Sequence, residues 1–233
     1  MVVSEKHTNI LQEVFFMKKT NNNITEMVFI LDRSGSMCGL EYDTIGGFNS
    51  MLSKQKKEAG EAFVTTVLFD NGYEILHDRL PVRNVPEMTD KEFVPRGSTA
   101  LIDAIGRTIK HIAVIHKYAS KEDVPQNTIF VIITDGMENS SRIYSSDAVR
   151  KMIEHEKEKY GWEFIFLGAN IDAVETARHI GINADRAVNY RCDSRGTELN
   201  YNVVSDAVSC CRMSAPLQAN WSAKIDEDYR NRR

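Results

Sequence analysis

Three short segments of the 233-residue chain carry residue types that could hold a hard cation. Asp32, Ser34 and Ser36 alternate through Asp32-Arg33-Ser34-Gly35-Ser36, Thr99 closes Gly97-Ser98-Thr99, and Asp135 precedes Gly136. The donors are two carboxylates and three hydroxyls, with no sulfur or imidazole among them. Oxygen-only sets of this kind select Mg2+, Mn2+ or Ca2+ over zinc or copper. Two carboxylates formally cancel the charge of a divalent ion, while neutral hydroxyls leave it electron-poor. A water-occupied coordination position would then attract a carboxylate from a partner. Each group also has an ordinary alternative. Asp32 and Asp135-Gly136 suit turns, Ser-Gly-Ser is common in loops, and Thr99 suits the start of a helix. Their joint placement, after strands and at a helix start, makes a metal site the expectation.

The elements around these residues supply that placement. Met27 to Leu31 is a continuous apolar run ending at Asp32, which reads as a buried parallel strand. Ile45, Phe48, Met51 and Leu52 give a helix over 42–60 that stops at Gly60. Residues 62–69 and 73–80 are strands joined by Asp70-Asn71-Gly72, a turn short enough to require antiparallel pairing. Thr89-Asp90-Lys91-Glu92 predicts a helix start. Ile102, Ile105, Ile109, Ile112 and Ile115 give the buried stripe of a helix over 101–118. Further strands are expected at 128–134, 162–167 and 187–190, and further helices at 145–160, 172–180 and 196–213. This alternation demands an α/β layered domain with a mostly parallel sheet. Ligands of such sheets bind beyond the carboxyl ends of the strands, where strand order reverses.

Composition sets the outer bounds. Hydrophobic residues make up 42% and charged residues 27%, with 13 glycines, a balance that excludes a disordered chain. No apolar run approaches the ~20 residues of a membrane-spanning helix. The net charge, 29 minus 33 or −4, argues against nonspecific nucleic-acid binding. Cys38, Cys192, Cys210 and Cys211 form no CxxC pair and read as reduced thiols of a cytoplasmic protein. Residues 1–24 are expected to be a poorly ordered extension that is no signal peptide, with Met17-Lys18-Lys19-Thr20 resembling a translation start. Residues 214–233 read as a loosely held polar tail.

The segments Asp32-Arg33-Ser34-Gly35-Ser36-Met37, Gly97-Ser98-Thr99-Ala100-Leu101 and Ile133-Thr134-Asp135-Gly136 together resemble the von Willebrand factor type A (VWA) family over roughly residues 25–213. The resemblance implies an α/β fold, a doubly wound, mainly parallel six-stranded sheet with one antiparallel edge strand and helices on both faces, and a metal-ion-dependent adhesion site with no motif position missing. Ser34 and Ser36 would bind the ion directly, Thr99 directly or through water, and Asp32 and Asp135 directly or through the waters they hold. The phrases Glu138-Asn139-Ser140-Ser141, 161–170 and 99–106 are also similar to small stand-alone members from bacteria and phages, some linked with tellurium-resistance-type stress systems.

Other residues near these segments have plainer roles. His111 and His116 are five apart, poor spacing for one metal face, and read as packed or solvated helix residues. Asp103 suits the helix dipole better than a sixth ligand position. Glu138 and Asn139 read as loop caps with a lesser prospect of touching a ligand. Arg33 and Arg96 could steer an acidic partner. Trp162, Phe164 and Phe166 read as core. GxxxxGK[ST], GxGxxG and GxSxG are all absent. The functional expectation is a non-enzymatic module that captures a partner's Asp or Glu through Mg2+, or Mn2+ or Ca2+ in its place. The alternatives are a metal-assisted phosphoryl or ester hydrolase with Asp32 as nucleophile, weakened by Ser34 where a second Asp would be expected, and a scaffold whose ion is only structural.

Overall fold

The computed structural model of the protein describes residues 23–232, so the expectations for residues 1–16 and for a start at Met17 lie outside the described residues. Six strands form one sheet: β1 (Ile24–Asp32), β2 (Glu61–Phe69), β3 (Tyr73–Pro81), β4 (Asn127–Thr134), β5 (Glu163–Gly168) and β6 (Ala187–Asn189). Their spatial order is β3-β2-β1-β4-β5-β6, with only β2 and β3 antiparallel. Six helices flank the sheet: α1 (Glu41–Lys57), α2 (Leu101–Tyr118), α3 (Ser146–Tyr160), α4 (Ala173–His179), α5 (Ser194–Arg212) and α6 (Ala223–Asn231).

Both faces of the sheet are covered, which is why its central strands are apolar throughout rather than alternating. All nine residues of β1 are buried. Met27, Phe29 and Leu31 point to the face covered by α1 and α5, while Val28 and Ile30 point to the face covered by α2, α3 and α4. Phe130 stacks on both Trp162 and Phe164, and all three are buried, so these aromatics are core as expected. The α2 stripe is buried at Ile102, Ile105, Ile109 and Ile112, and half-buried at Ile115. His111 faces Asp78 at 2.7 Å and His116 faces Glu26 at 3.3 Å, each serving the packing of α2.

Two expectations are overturned. The Thr89–Glu92 helix start is a single turn: the Thr89 backbone N–H and hydroxyl both donate to Glu92 Oε2, at 2.8 and 2.6 Å, but no helix follows. Val94 precedes Pro95, and a residue before proline is pushed out of helical geometry. The segment after Met213 is not loosely held, because it forms α6 and buries Ile225 to 2% exposure in the α1/α5 core.

Strand order reverses between β1 and β4, neighbours that each connect outward to opposite halves of the sheet. The crevice beyond their carboxyl ends is therefore the switch point. Asp32 ends β1 and Asp135 follows the last residue of β4.

Candidate metal centre

The loop after β1 makes a tight 3-10 turn over Gly35–Met37, anchored by Met37 in the core. Asp32 Oδ1 accepts the Ser34 backbone N–H at 2.7 Å, and Asp32 Oδ2 accepts the Thr134 hydroxyl at 2.6 Å. Ser36 Oγ donates to Asp135 Oδ1 at 2.8 Å and lies 3.1 Å from Ser34 Oγ. Segments 99 residues apart in the chain thus meet through side chains. Thr99 completes the group. A side-chain carbon at Gly136 would stand 3.3 Å from Thr99 Oγ1 and 3.5 Å from Ser36 Oγ, so glycine keeps the floor between the two hydroxyls open. All five expected residues gather at one sheet edge.

The electrostatics of the group are uncompensated. Asp32 and Asp135 are each 1% exposed, and neither forms an ion pair among the described residues. Burial pushes the Asp32 carboxyl from 3.8 to about 6, against the hydrogen bonds from Thr134 and Ser34, and the charge of Asp135 adds to the rise. Burial likewise raises Asp135. Buried carboxylates without a counter-charge are costly, and a cation is the usual remedy. Among the described residues no group of three or more His, Cys, Asp or Glu is placed to hold an ion, so a cation here depends on the hydroxyls.

Several residues support the group through contacts distant in the sequence. Asn139 clamps Thr99: its Oδ1 accepts the Thr99 N–H at 2.9 Å, and its own N–H donates to the Thr99 carbonyl at 3.0 Å. Glu138 accepts the N–H groups of Ser140, Ser141 and Ile102, and so ties the β4–α3 loop to the start of α2. Both residues cap loops. Asp103 accepts the N–H groups of Arg142, Ile143 and Tyr144, a second tie between the same elements. Helix α2 itself starts after Ala100, so Thr99 is not its N-cap. Cys192 Sγ donates to Asp135 Oδ2 at 3.8 Å, and burial beside Asp135 pushes the thiol to about 12, leaving it neutral.

The arginines divide. Arg33 is 2% exposed and fully engaged with Asp70 at 3.1 Å and Glu74 at 2.7 Å, which corrects the expectation that it steers a partner. Asp70 also holds Arg96 at 3.0 Å, but the Arg96 side chain is largely exposed. Asp70, first read as part of a turn, is the hub joining the β2–β3 turn, the β1 loop and the 95–99 loop, as the Ala100 N–H to Asp70 carbonyl bond at 2.9 Å shows.

No family model matches the chain, and no curated protein matches it. Solved structures do. A von Willebrand factor type A structure from Catenulispora acidiphila superposes with a TM-score of 0.52 at 14% identity, covering 78% of this chain and 42% of that one. The fold is VWA-like. The PilB minor pilin from Streptococcus sanguinis shares this VWA-like fold with a TM-score of 0.56 at 12% identity, covering 82% of this chain and 63% of the pilin. Proximal thread matrix protein 1 from the mussel byssus gives 0.56 at 11% identity, covering 80% of this chain and 48% of that protein. The chain spans less than two thirds of each of these three.

Proposed function

We propose that this chain is a divalent-cation-dependent protein-binding module. Mg2+, or Mn2+ or Ca2+ in its place, is held by Asp32, Ser34, Ser36, Thr99 and Asp135, and an acidic side chain of a protein partner completes the coordination. The observation that carries the reading is the pair of buried carboxylates, Asp135 bonded to the Ser36 hydroxyl and Asp32 to the Thr134 hydroxyl, with no cationic side chain paired to either. A divalent ion supplies the missing charge and polarises whatever oxygen the partner presents. The residues present fit such an ion by donor type, since every one offers hard oxygen.

Support for a protein partner comes from the rim. Ser36 is exposed, Tyr42 in the first turn of α1 is 87% exposed, and Met137, two residues past Asp135, is 71% exposed. Large apolar side chains left open around a polar centre suit protein contact. Arg96 adds a positive charge toward an acidic ligand. We place the protein with the small stand-alone VWA members and in the cytoplasm, the latter on its four free cysteines. No described helix is long and apolar enough to cross a membrane. A hydrolase with Asp32 as nucleophile is disfavoured by that residue's burial and by the donors that already occupy both of its oxygens.

Titration calorimetry with Mg2+ tests the reading. The protein binds the ion, and Asp135→Ala weakens binding at least about tenfold, the scale on which metal-site substitutions act. Equal binding by both proteins ends the proposal.

A further inference from the structure

Asp32 also lines a cavity of about 10 Å³ inside the fold. Its polar lining is Asp32, Thr44, Tyr190, Thr197, Asn200 and Tyr201. Every one of these is at most 5% exposed, so the cavity is internal. Two of them point to an occupant. Thr44 Oγ1 and Asn200 Oδ1 are fully buried and have no hydrogen-bond partner within the protein. Thr44 belongs to α1 and Asn200 to α5, the two helices packed on this face of the sheet.

The chemistry of the lining fixes what fits. An amide oxygen accepts only, a threonine hydroxyl both accepts and donates, and a carboxylate accepts. The occupant must therefore donate to the acceptor-only groups, Asn200 Oδ1 and Asp32, and can accept from the Thr44 hydroxyl. The room suffices for one water, which needs about 10–15 Å³ and two to four polar partners. Leaving both groups unsatisfied would cost their desolvation with nothing in return, whereas apolar residues of similar shape would cost little.

We propose that this cavity binds one structural water that accepts from the Thr44 hydroxyl and donates to Asn200 Oδ1 and to Asp32, and so joins α1 and α5 to Asp32. Asp32 belongs to the candidate cation site and also lines the cavity, so the water belongs to the shell that orients the carboxylate. Such shells govern metal affinity through the ligand they hold in place. The water site stands on the cavity and its orphaned oxygens; the effect on the ion rests on the proposed metal reading.

A crystal structure at near-atomic resolution decides the first part. One ordered water within hydrogen-bonding distance of Thr44 Oγ1 and Asn200 Oδ1 is expected in the wild type, and is lost in Thr44→Val/Asn200→Leu, which replaces both orphaned groups by apolar ones. A wild-type cavity without density overturns the proposal, as does an occupant at metal–oxygen distances of about 2.0–2.6 Å. The isosteric Thr44→Val alone keeps the test valid if the double variant does not fold. Calorimetry decides the second part: Mg2+ affinity falls about tenfold in Asn200→Leu, and unchanged affinity overturns the link to Asp32. Failure of the wild type to bind Mg2+ while the water is present would sink the metal reading and leave the water site standing.

Discussion

Asp32 holds a proton more tightly than an ordinary aspartate, because burial lifts its carboxyl from 3.8 to about 6. The folded protein without an ion therefore binds more protons than the unfolded chain between these values, and its stability falls as pH rises through that window. About two units correspond to roughly 3 kcal/mol at most. An ion at the site stabilises the ionised form and removes this cost. The rise in melting temperature on adding Mg2+ is thus expected to be small at pH 5 and larger at pH 7.5, read by thermal melts at both; a rise independent of pH would contradict the placement of the ion against Asp32. Asp103 runs the other way. Burial raises it, but the N–H groups of Arg142, Tyr144 and Ile143 outweigh burial and leave it below the usual carboxylate range. Its contribution to stability is present at neutral pH and lost as pH falls through the acid range. Asp103→Ala strands those N–H groups and costs about 2 kcal/mol in denaturant unfolding, and a change below 0.5 kcal/mol would show that water replaces the carboxylate.

Helix α1 approaches α5 through a glycine. A carbon added at Gly47 would stand 2.3 Å from Cδ2 of Tyr201, a ring that is itself 3% exposed and packed at 6.4 Å on Phe48. One residue earlier, Gly46 has nothing within 4 Å. Alanine is favoured over glycine in a helix by about 1 kcal/mol. Gly46→Ala is therefore expected to stabilise by up to about that amount, while Gly47→Ala destabilises by about 1–3 kcal/mol through overpacking. Paired urea melts give the two signs, and equal signs would mean that Tyr201 moves aside freely. This contrast marks what was legible in the sequence. The apolar stripe of α2 and the runs of β1 and β4 repeat within their own elements, so both the elements and the donors at their ends could be read directly. Asn139 on Thr99, Arg33 on Asp70 and Cys192 on Asp135 pair across 40, 37 and 57 residues. Such pairings exist only once the sheet has brought loops together, and no local period announces them. Thr89 and Glu92 misled for the opposite reason: their capping contacts are real, but a proline close behind denies the helix they would start.

At the scale of the whole molecule, the segment after α5 closes one side of the sheet. Strand β6 has only three residues, and its outer edge would otherwise offer unpaired backbone groups. The final segment returns along that side. Arg186 Nη2 donates to the Leu217 carbonyl at 2.9 Å, Trp221 Nε1 donates to the Asp185 carbonyl at 2.8 Å, and Ile225 enters the α1/α5 core. Arg232 then bridges Asp228 to Asp193, the residue that caps the start of α5, and Arg191 lies 4.6 Å over the Tyr229 ring. Cys192, which donates to Asp135, sits between Arg191 and Asp193, so the same segment braces the loop behind the candidate metal site. Truncation after Met213 removes the buried Ile225 and half-buried Trp221, a loss of about 3–5 kcal/mol, or about 10 °C in melting temperature for a chain of this size. It also bares an edge strand. The shortened protein is expected to melt earlier and to self-associate in light scattering, with or without chelator, because the defect lies in the sheet edge and not in the ion. A truncated protein that stays monomeric and melts with the full chain would mean that α6 rests on the sheet without supporting it.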